Sequence, residues 1–230
     1  MPGTSPFAKL PGSAFPAETI ETDMNDTPKD FWNRRYEADG FLFGREPNAF
    51  VKSQVHLFKA GMDVLSIADG EGRNGVYVAR QGANVTSTDF SEAAQEKARQ
   101  LADEHGVDVT FEQRDVYNWD DMTTEFDVVL AIFIQFAPPD KRTILFEDIK
   151  RLVKPGGLVV LQGYRPEQID FKTGGPPNIE NMYTAELLRN AFPDFEIQHL
   201  VEHDSVVDEG SGHSGLSALV DMVARKPNQP

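Results

Sequence analysis

Apolar residues along this 230-residue chain fall in short runs bounded by Gly, Asp or Asn, separated by stretches where they recur at helical spacing. The runs predict strands at 63–68, 84–89, 109–114, 126–133 and 158–163. The periodic stretches between them predict helices at 74–80, 92–105 and 141–153. The run 126–133 is almost wholly apolar, as expected of a parallel strand covered on both faces. A long connection holding Thr173-Gly174-Gly175-Pro176-Pro177 follows, then a helix near 184–191. Two further strands, 195–203 and 216–224, flank a Gly-rich loop at 208–215, and their hairpin character makes the last strand antiparallel. The pattern predicts an α/β fold: a single Rossmann-like, doubly wound sheet of about seven strands, mostly parallel. Neither a repeat nor a second domain is visible.

Upstream, Asn25-Asp26-Thr27-Pro28 is a helix-start signal for a helix over 29–37 that carries Phe31, Trp32 and Tyr36. Asp39-Gly40 breaks it, Phe41 and Phe43 follow, and 50–59 reads as the first full helix. These aromatics either cover the sheet or form a lid over a ligand cleft, with one or two rings such as Trp32 touching the ligand. Residues 1–27, rich in Pro, Ser and Thr, read as a flexible arm. The domain is expected over 28–227, with 28–60 as its helical lid.

The chemistry begins where the first strand ends. Val64 to Asn74 reads as a buried strand entering a glycine turn that opens a helix. Gly70 and Gly72 permit a sharp bend and a close approach of backbone to ligand, and the helix points free N–H groups at whatever occupies the turn. Gly70, Gly72 and Gly75 formally spell GxGxxG, so a dinucleotide and S-adenosylmethionine (SAM) both remain open as guests. Asp89 ends the second strand, where a carboxylate accepts ribose hydroxyls or simply caps the helix after Ser91. Asp115 ends the third, where with Val116 it takes an adenine amino group or serves as a turn residue.

Charge and composition narrow the partners. With 22 basic and 37 acidic residues the net charge is −15, which argues against a surface that tracks nucleic-acid phosphates. No apolar run reaches membrane length. The chain has no Cys, which removes disulfides and thiolate chemistry, and the simplest setting is cytoplasmic. His56, His199 and His203 show no metal-ligand clustering, so no metal is expected.

Taken together, Ile67 to Asn74, Asp89, Arg114-Asp115-Val116 and Leu152-Val153-Lys154-Pro155-Gly156-Gly157 resemble the class I SAM-dependent methyltransferases. Within that class the chain is similar to the small tellurite-resistance and thiopurine methyltransferase-like group. Gly44 to Asn48, Thr173 to Pro177, Glu209-Gly210, His213-Ser214-Gly215 and Val223 to Pro227 carry that closer likeness. The resemblance implies SAM as cofactor, S-adenosylhomocysteine (SAH) as product, and a small-molecule acceptor such as a thiol, metalloid oxyanion or other heteroatom. It implies cofactor contacts from Trp32, Ala68, Asp69, Gly70, Gly72, Arg73, Asn74, Asp89, Phe90, Asp115, Val116 and Ile132. Lys154 to Gly157 is expected to be a helix stop and turn.

The commoner family form has an acidic residue at Ser66 and Gly-Cys-Gly at Ala68-Asp69-Gly70, so Asp69 either takes over the cofactor's amino-acid end or is a turn residue. Ile134-Gln135-Phe136, Tyr164-Arg165, Glu209 and His213 are expected near the acceptor. His213, Tyr164, Glu209 and Arg165 are the candidate catalytic residues, although Arg165 could instead pair with Glu167. A SAM- or SAH-binding protein without transferase activity and an NAD(P)-dependent oxidoreductase are the alternatives.

Overall fold

The computed structural model describes residues 27–228, so the arm expected over 1–27 lies, Thr27 apart, outside the described residues. Thr27 caps α1 (Pro28–Glu37) in a capping box: its hydroxyl accepts from the Asp30 N–H, and Asp30 accepts from the Thr27 N–H. Asn48 caps α2 (Ala49–Ser53) through the Val51 N–H. The helix expected over 50–59 is not continuous. The Ser53 hydroxyl donates to the Phe50 carbonyl at 2.7 Å, which competes with helix propagation. A single 3-10 turn (Val55–Leu57) follows, and Phe58 turns into the core.

The remaining α-helices and strands are β1 (Asp63–Ser66), α3 (Arg73–Ala79), β2 (Asn84–Asp89), α4 (Glu92–His105), β3 (Val109–Gln113), β4 (Phe126–Ile132), α5 (Pro139–Leu152), β5 (Val153–Tyr164), α6 (Gln168–Phe171), α7 (Ala185–Ala191), β6 (Glu196–Glu209) and β7 (His213–Arg225). They form one seven-stranded sheet in the order β3-β2-β1-β4-β5-β7-β6. β7 runs antiparallel to both neighbours, and the ladders β3-β2-β1-β4-β5 are parallel.

Alternate strand residues feed two apolar layers, because successive side chains point to opposite faces. Leu65 and Val129 pack with Leu145, Phe146 and Ile149 of α5 and Leu188 of α7. Val64, Val128 and Val160 pack with Phe50 and Val51 of α2 and Val78 of α3 on the other face. The chain winds outward from β1 to β3, returns to β4 beside β1, and winds the other way. That reversal opens a crevice beyond the carboxyl ends of β1 and β4.

Two connections differ from expectation. β5 begins at Val153, paired with Phe126, and its next partner pair is Val128 with Leu158. Lys154 to Gly157 is therefore a bulge inside the strand rather than a stop before it, with Gly156 at φ +78°. Lys154 joins Asp63 (2.8 Å) and Asp127 (3.0 Å), tying the start of β1 to the start of β4. The loop expected over 208–215 is also mostly strand. β6 and β7 pair as far as Glu209 with His213, leaving a turn of three residues that begins with Gly210 at φ +67°.

Gly72 shows how tightly the glycine turn is packed. It has φ +83°, and a Cβ there would lie 2.7 Å from the Ala98 Cβ of α4. The absent side chain makes room for a helix rather than for a ligand. Gly72→Ala is expected to destabilise the protein by about 1–3 kcal/mol through overpacking and backbone strain. An unchanged urea midpoint would remove Gly72 from that packing role.

Candidate active site

A cavity of about 360 Å³ occupies the crevice at the carboxyl ends of β1, β2 and β4. Ala68, Asp69, Gly70, Arg73, Asn74, Asp89, Phe90, Asp115, Val116, Ile132 and Trp32, all picked from sequence, line it. Gly72 does not, for the packing reason above.

Asp69 and Asp89 play different parts in its floor. The Asp69 carboxylate accepts from the Ser66 hydroxyl (2.7 Å), the Ser87 hydroxyl (2.8 Å) and the Gly75 N–H (3.1 Å), joining β1, β2 and α3. Burial pushes its carboxyl up, and these donors push it back. A Cβ on Gly75 would come within 2.4 Å of that carboxylate. The third glycine of GxGxxG thus makes room for Asp69, and the geometry favours the turn role for this aspartate over the cofactor's amino-acid end.

Asp89 accepts from the Gly70 N–H and the Ser91 N–H, both at 2.9 Å. Ser91 caps α4 with its own hydroxyl through the Ala94 N–H. Each Asp89 oxygen keeps a second lone pair, and burial pushes the carboxyl up to about 6. Asp115 is exposed on the rim, where it accepts from the Tyr117 N–H at 3.0 Å in an Asx turn.

Aromatic side chains wall the rest. Trp32 stacks on Tyr36 (5.6 Å between ring centroids), and both approach Phe43. Phe43 and Phe133 flank His213 at 4.4 and 4.6 Å, and Tyr164 stands edge-on to it at 5.7 Å. Tyr36, Phe43, Phe133 and Phe136 all line the cavity. Among the described residues, Ala68, Phe133 and Lys172 are the non-glycine residues with positive φ. The first two face the cavity, and for a bulky Phe this conformation is strained.

The candidate acceptor residues separate. Glu209 is buried; it accepts from Arg73 (2.5 Å) and Asn48 (3.0 Å), and its Oε2 lies 3.6 Å from Nδ1 of His213. Burial raises the Glu209 carboxyl, but His213 and Arg73 outweigh it and bring the pKa down to about 2. Burial pulls the His213 imidazole below its ordinary range. His213 and Arg73 together keep Glu209 ionised. Tyr164 is buried with its hydroxyl unpartnered, and burial pushes that hydroxyl well above the ordinary tyrosine range. Arg165 is not brought to the cavity: its guanidinium binds Asp204 and lies 3.5 Å from Glu167. Gln135 braces β5 instead, exchanging hydrogen bonds with the Tyr164 backbone.

The segments behind the closer family likeness converge here, except Val223 to Pro227, which lies against the start of β5 at the other end of the sheet. Gly44 packs on Gly210, and a Cβ on Gly212 would strike the Phe43 ring. Gly174 and Gly175 pack against Tyr164, and the Gly212 N–H donates to the Leu42 carbonyl at 3.0 Å. Sequence reading missed a second anchor of the 41–44 segment. Buried Glu71 accepts from the Phe43 N–H (3.3 Å) and from Lys97, which also donates to the carbonyls of Ala38 (2.7 Å) and Gly40 (2.6 Å).

Comparison with known proteins agrees with this geometry. Residues 64–157, from β1 through the β5 bulge, match the family model described as a methyltransferase domain. That stretch is similar to a methyltransferase domain, and the seven-stranded sheet has the fold of the class I SAM-dependent methyltransferases. It is 38% identical over 103 residues to the ubiquinone biosynthesis O-methyltransferase of Pseudomonas aeruginosa, covering 44% of each chain. It is 29% identical over 134 residues to the ribosomal protein L11 methyltransferase of Dictyoglomus turgidum, covering 57% of this chain and 43% of that one. The matched segments thus span less than half the length of these relatives.

Among solved structures, TehB from Haemophilus influenzae superposes with a TM-score of 0.65 at 16% identity, covering 86% of this chain and 66% of that one. NodS from Bradyrhizobium japonicum with SAH gives 0.66 at 12%, covering 88% and 100%. A structure from work on conversion of a disulfide bond into a thioacetal group during echinomycin biosynthesis gives 0.69 at 19%, covering 88% and 93%. These likenesses concern the fold.

The anchor formed by Lys97 yields a prediction. Lys97→Ala is expected to speed amide exchange at 38–44 by about tenfold or more, the scale of a lost charged hydrogen bond. Protection in β1, β4 and β5 should stay unchanged. Unaltered exchange at 38–44 would show that Lys97 does not hold this segment.

Proposed function

We propose that this protein transfers the methyl group of SAM to a small-molecule nucleophile, with SAH as the product. The observation that carries this reading is Asp89. It is a buried carboxylate on the cavity floor beside Gly70, with lone pairs free for two ribose hydroxyls. Gly70 lines the cavity as well, and a Cβ there would lie 2.8 Å from the Tyr36 hydroxyl, so its missing side chain makes room for the aromatic lid. Asp115 and Val116 would meet the adenine edge, with Phe90 and Ile132 against its faces. Arg73 and Asn74 at the start of α3 would sit near the amino-acid end. When bound, SAM supplies a methyl group already activated on a sulfonium, so the chain's task is to align the nucleophile and exclude water.

Trp32, Tyr36 and Phe43 act as a lid in this reading, and His213 lies at the acceptor end with Tyr164 buried behind it. The cavity volume falls in the small-molecule range, and the net charge of −15 suits a neutral or cationic acceptor rather than nucleic acid. Among the described residues no helix is long and apolar enough to cross a membrane. We place the reaction in the cytoplasm.

The raised Asp89 pKa fixes the sign of a pH effect. Donating hydroxyls favour the ionised carboxylate, so cofactor binding lowers this pKa and expels a proton from the fraction that is protonated. SAM affinity should be full above about pH 6 and fall by up to about tenfold per unit below it. Asp89→Asn should weaken binding by about 1–3 kcal/mol and flatten that dependence. Calorimetry across pH checks both, and wild-type affinity in Asp89→Asn would move the ribose site elsewhere.

A further inference from the structure

The acceptor end holds an arrangement that the methyl-transfer reading does not itself require. Glu209 and His213 are directly opposed partners at the tip of the β6-β7 hairpin. The His213 ring is clasped by Phe43, Phe133 and Tyr164. Its Nδ1 is buried without a hydrogen-bond partner, and Oε2 of Glu209 lies 3.6 Å away. With Nδ1 turned to the carboxylate, Nε2 is the nitrogen left for a ligand in the cavity that His213 lines. A carboxylate at Nδ1 selects the tautomer protonated there and leaves the Nε2 lone pair free.

We infer that His213 is the general base of this site, oriented by Glu209, and that the acceptor is a neutral, protic aromatic or apolar nucleophile with its proton still attached. This inference rests on the methyl-transfer reading and narrows it against a pre-ionised acceptor such as a metalloid oxyanion. The acceptor's O–H or S–H proton passes to Nε2, giving an imidazolium beside ionised Glu209. The electron pair left on the heteroatom forms the new bond to the methyl carbon, and the pair of the methyl–sulfur bond leaves with sulfur. The product, SAH and one proton, released later from His213, complete the balance.

The surroundings keep the base neutral before reaction. Arg73 from α3 and Arg35 from α1 disfavour the imidazolium along with burial, and Glu209 opposes them. Tyr164 from β5 faces the ring as a neutral phenol. Asn48, buried at the start of α2, is a positioning residue: it donates to both Glu209 (3.0 Å) and Gln162 (2.6 Å), fixing the carboxylate that fixes the imidazole.

Two measurements test this. Nitrogen-15 NMR of the full chain should show His213 protonated at Nδ1 and unprotonated at Nε2 at pH 7.5, titrating below the usual histidine range. A ring protonated at Nε2, or one charged at that pH, overturns the proposal without an acceptor being needed. The second is turnover with SAM on a panel of phenols, alkyl thiols and thiophenols, compared between wild type and His213→Asn. The loss should be about 100-fold or more for phenols and alkyl thiols and much smaller for thiophenols that ionise unaided. SAM affinity should hold throughout. A loss equal across the panel, or none, returns His213 to a packing role. Failure of wild type to bind SAM would instead defeat the parent reading, which calorimetry separates from either result.

Discussion

A guanidinium on the helix after the glycine turn meets a carboxylate on the last hairpin inside the protein: Arg73 and Glu209, 2.5 Å apart and both buried. Taking two charges out of water is costly, and removing either partner strands the other. The pair therefore holds only if the glycine turn and the hairpin tip arrive together. Asn48 adds a third element: its side chain donates to Glu209 and its backbone N–H to Asn74. Through these contacts the start of α2, the start of α3 and the end of β6 become one unit.

The wall around His213 depends on that junction. His213 faces Glu209 because β6 and β7 stay paired to the tip. Phe43 can lie on His213 because Gly210 and Gly212 leave space for the 41–44 segment. Phe133 completes the wall in a strained conformation that the surrounding packing must sustain. Opposite, Asp69 and Asp89 divide the floor. One carboxylate is used up in holding the turn, and the other keeps capacity for a ligand.

Most of the sheet was legible because parallel strands buried on both faces leave continuous apolar runs that end in Gly or Asp, as at Ser66 to Gly70 and Thr88-Asp89. The failures have physical causes. The 50–59 helix stops at a serine that bonds its own backbone, and the spacing of apolar residues does not register this. Lys154 to Gly157 looks like a stop, yet Val153 already pairs with β4, so the turn is a bulge within a strand. Gly210 and Gly215 suggested a long loop, whereas glycine also serves a tight hairpin and the close approach of Thr173.

On the cavity floor, strand-end residues were readable because topology alone delivers them to one edge. The walls were not. Phe133 has no sequence mark of its positive φ, and the Glu71–Lys97 anchor joins the glycine turn to α4 with charges that read as surface. Tyr36 and Phe43 were visible only as aromatics of uncertain use. Arg165 looked suited to an anion but is occupied by Asp204 and Glu167, both on its exposed side.

The most direct test is parallel calorimetric titration of the full chain with SAM, SAH and NADH at pH 7.5. Micromolar binding of SAM and SAH, with no heat from NADH, is the result this structure predicts. Heat from NADH alone, or silence from SAM and SAH, would contradict it.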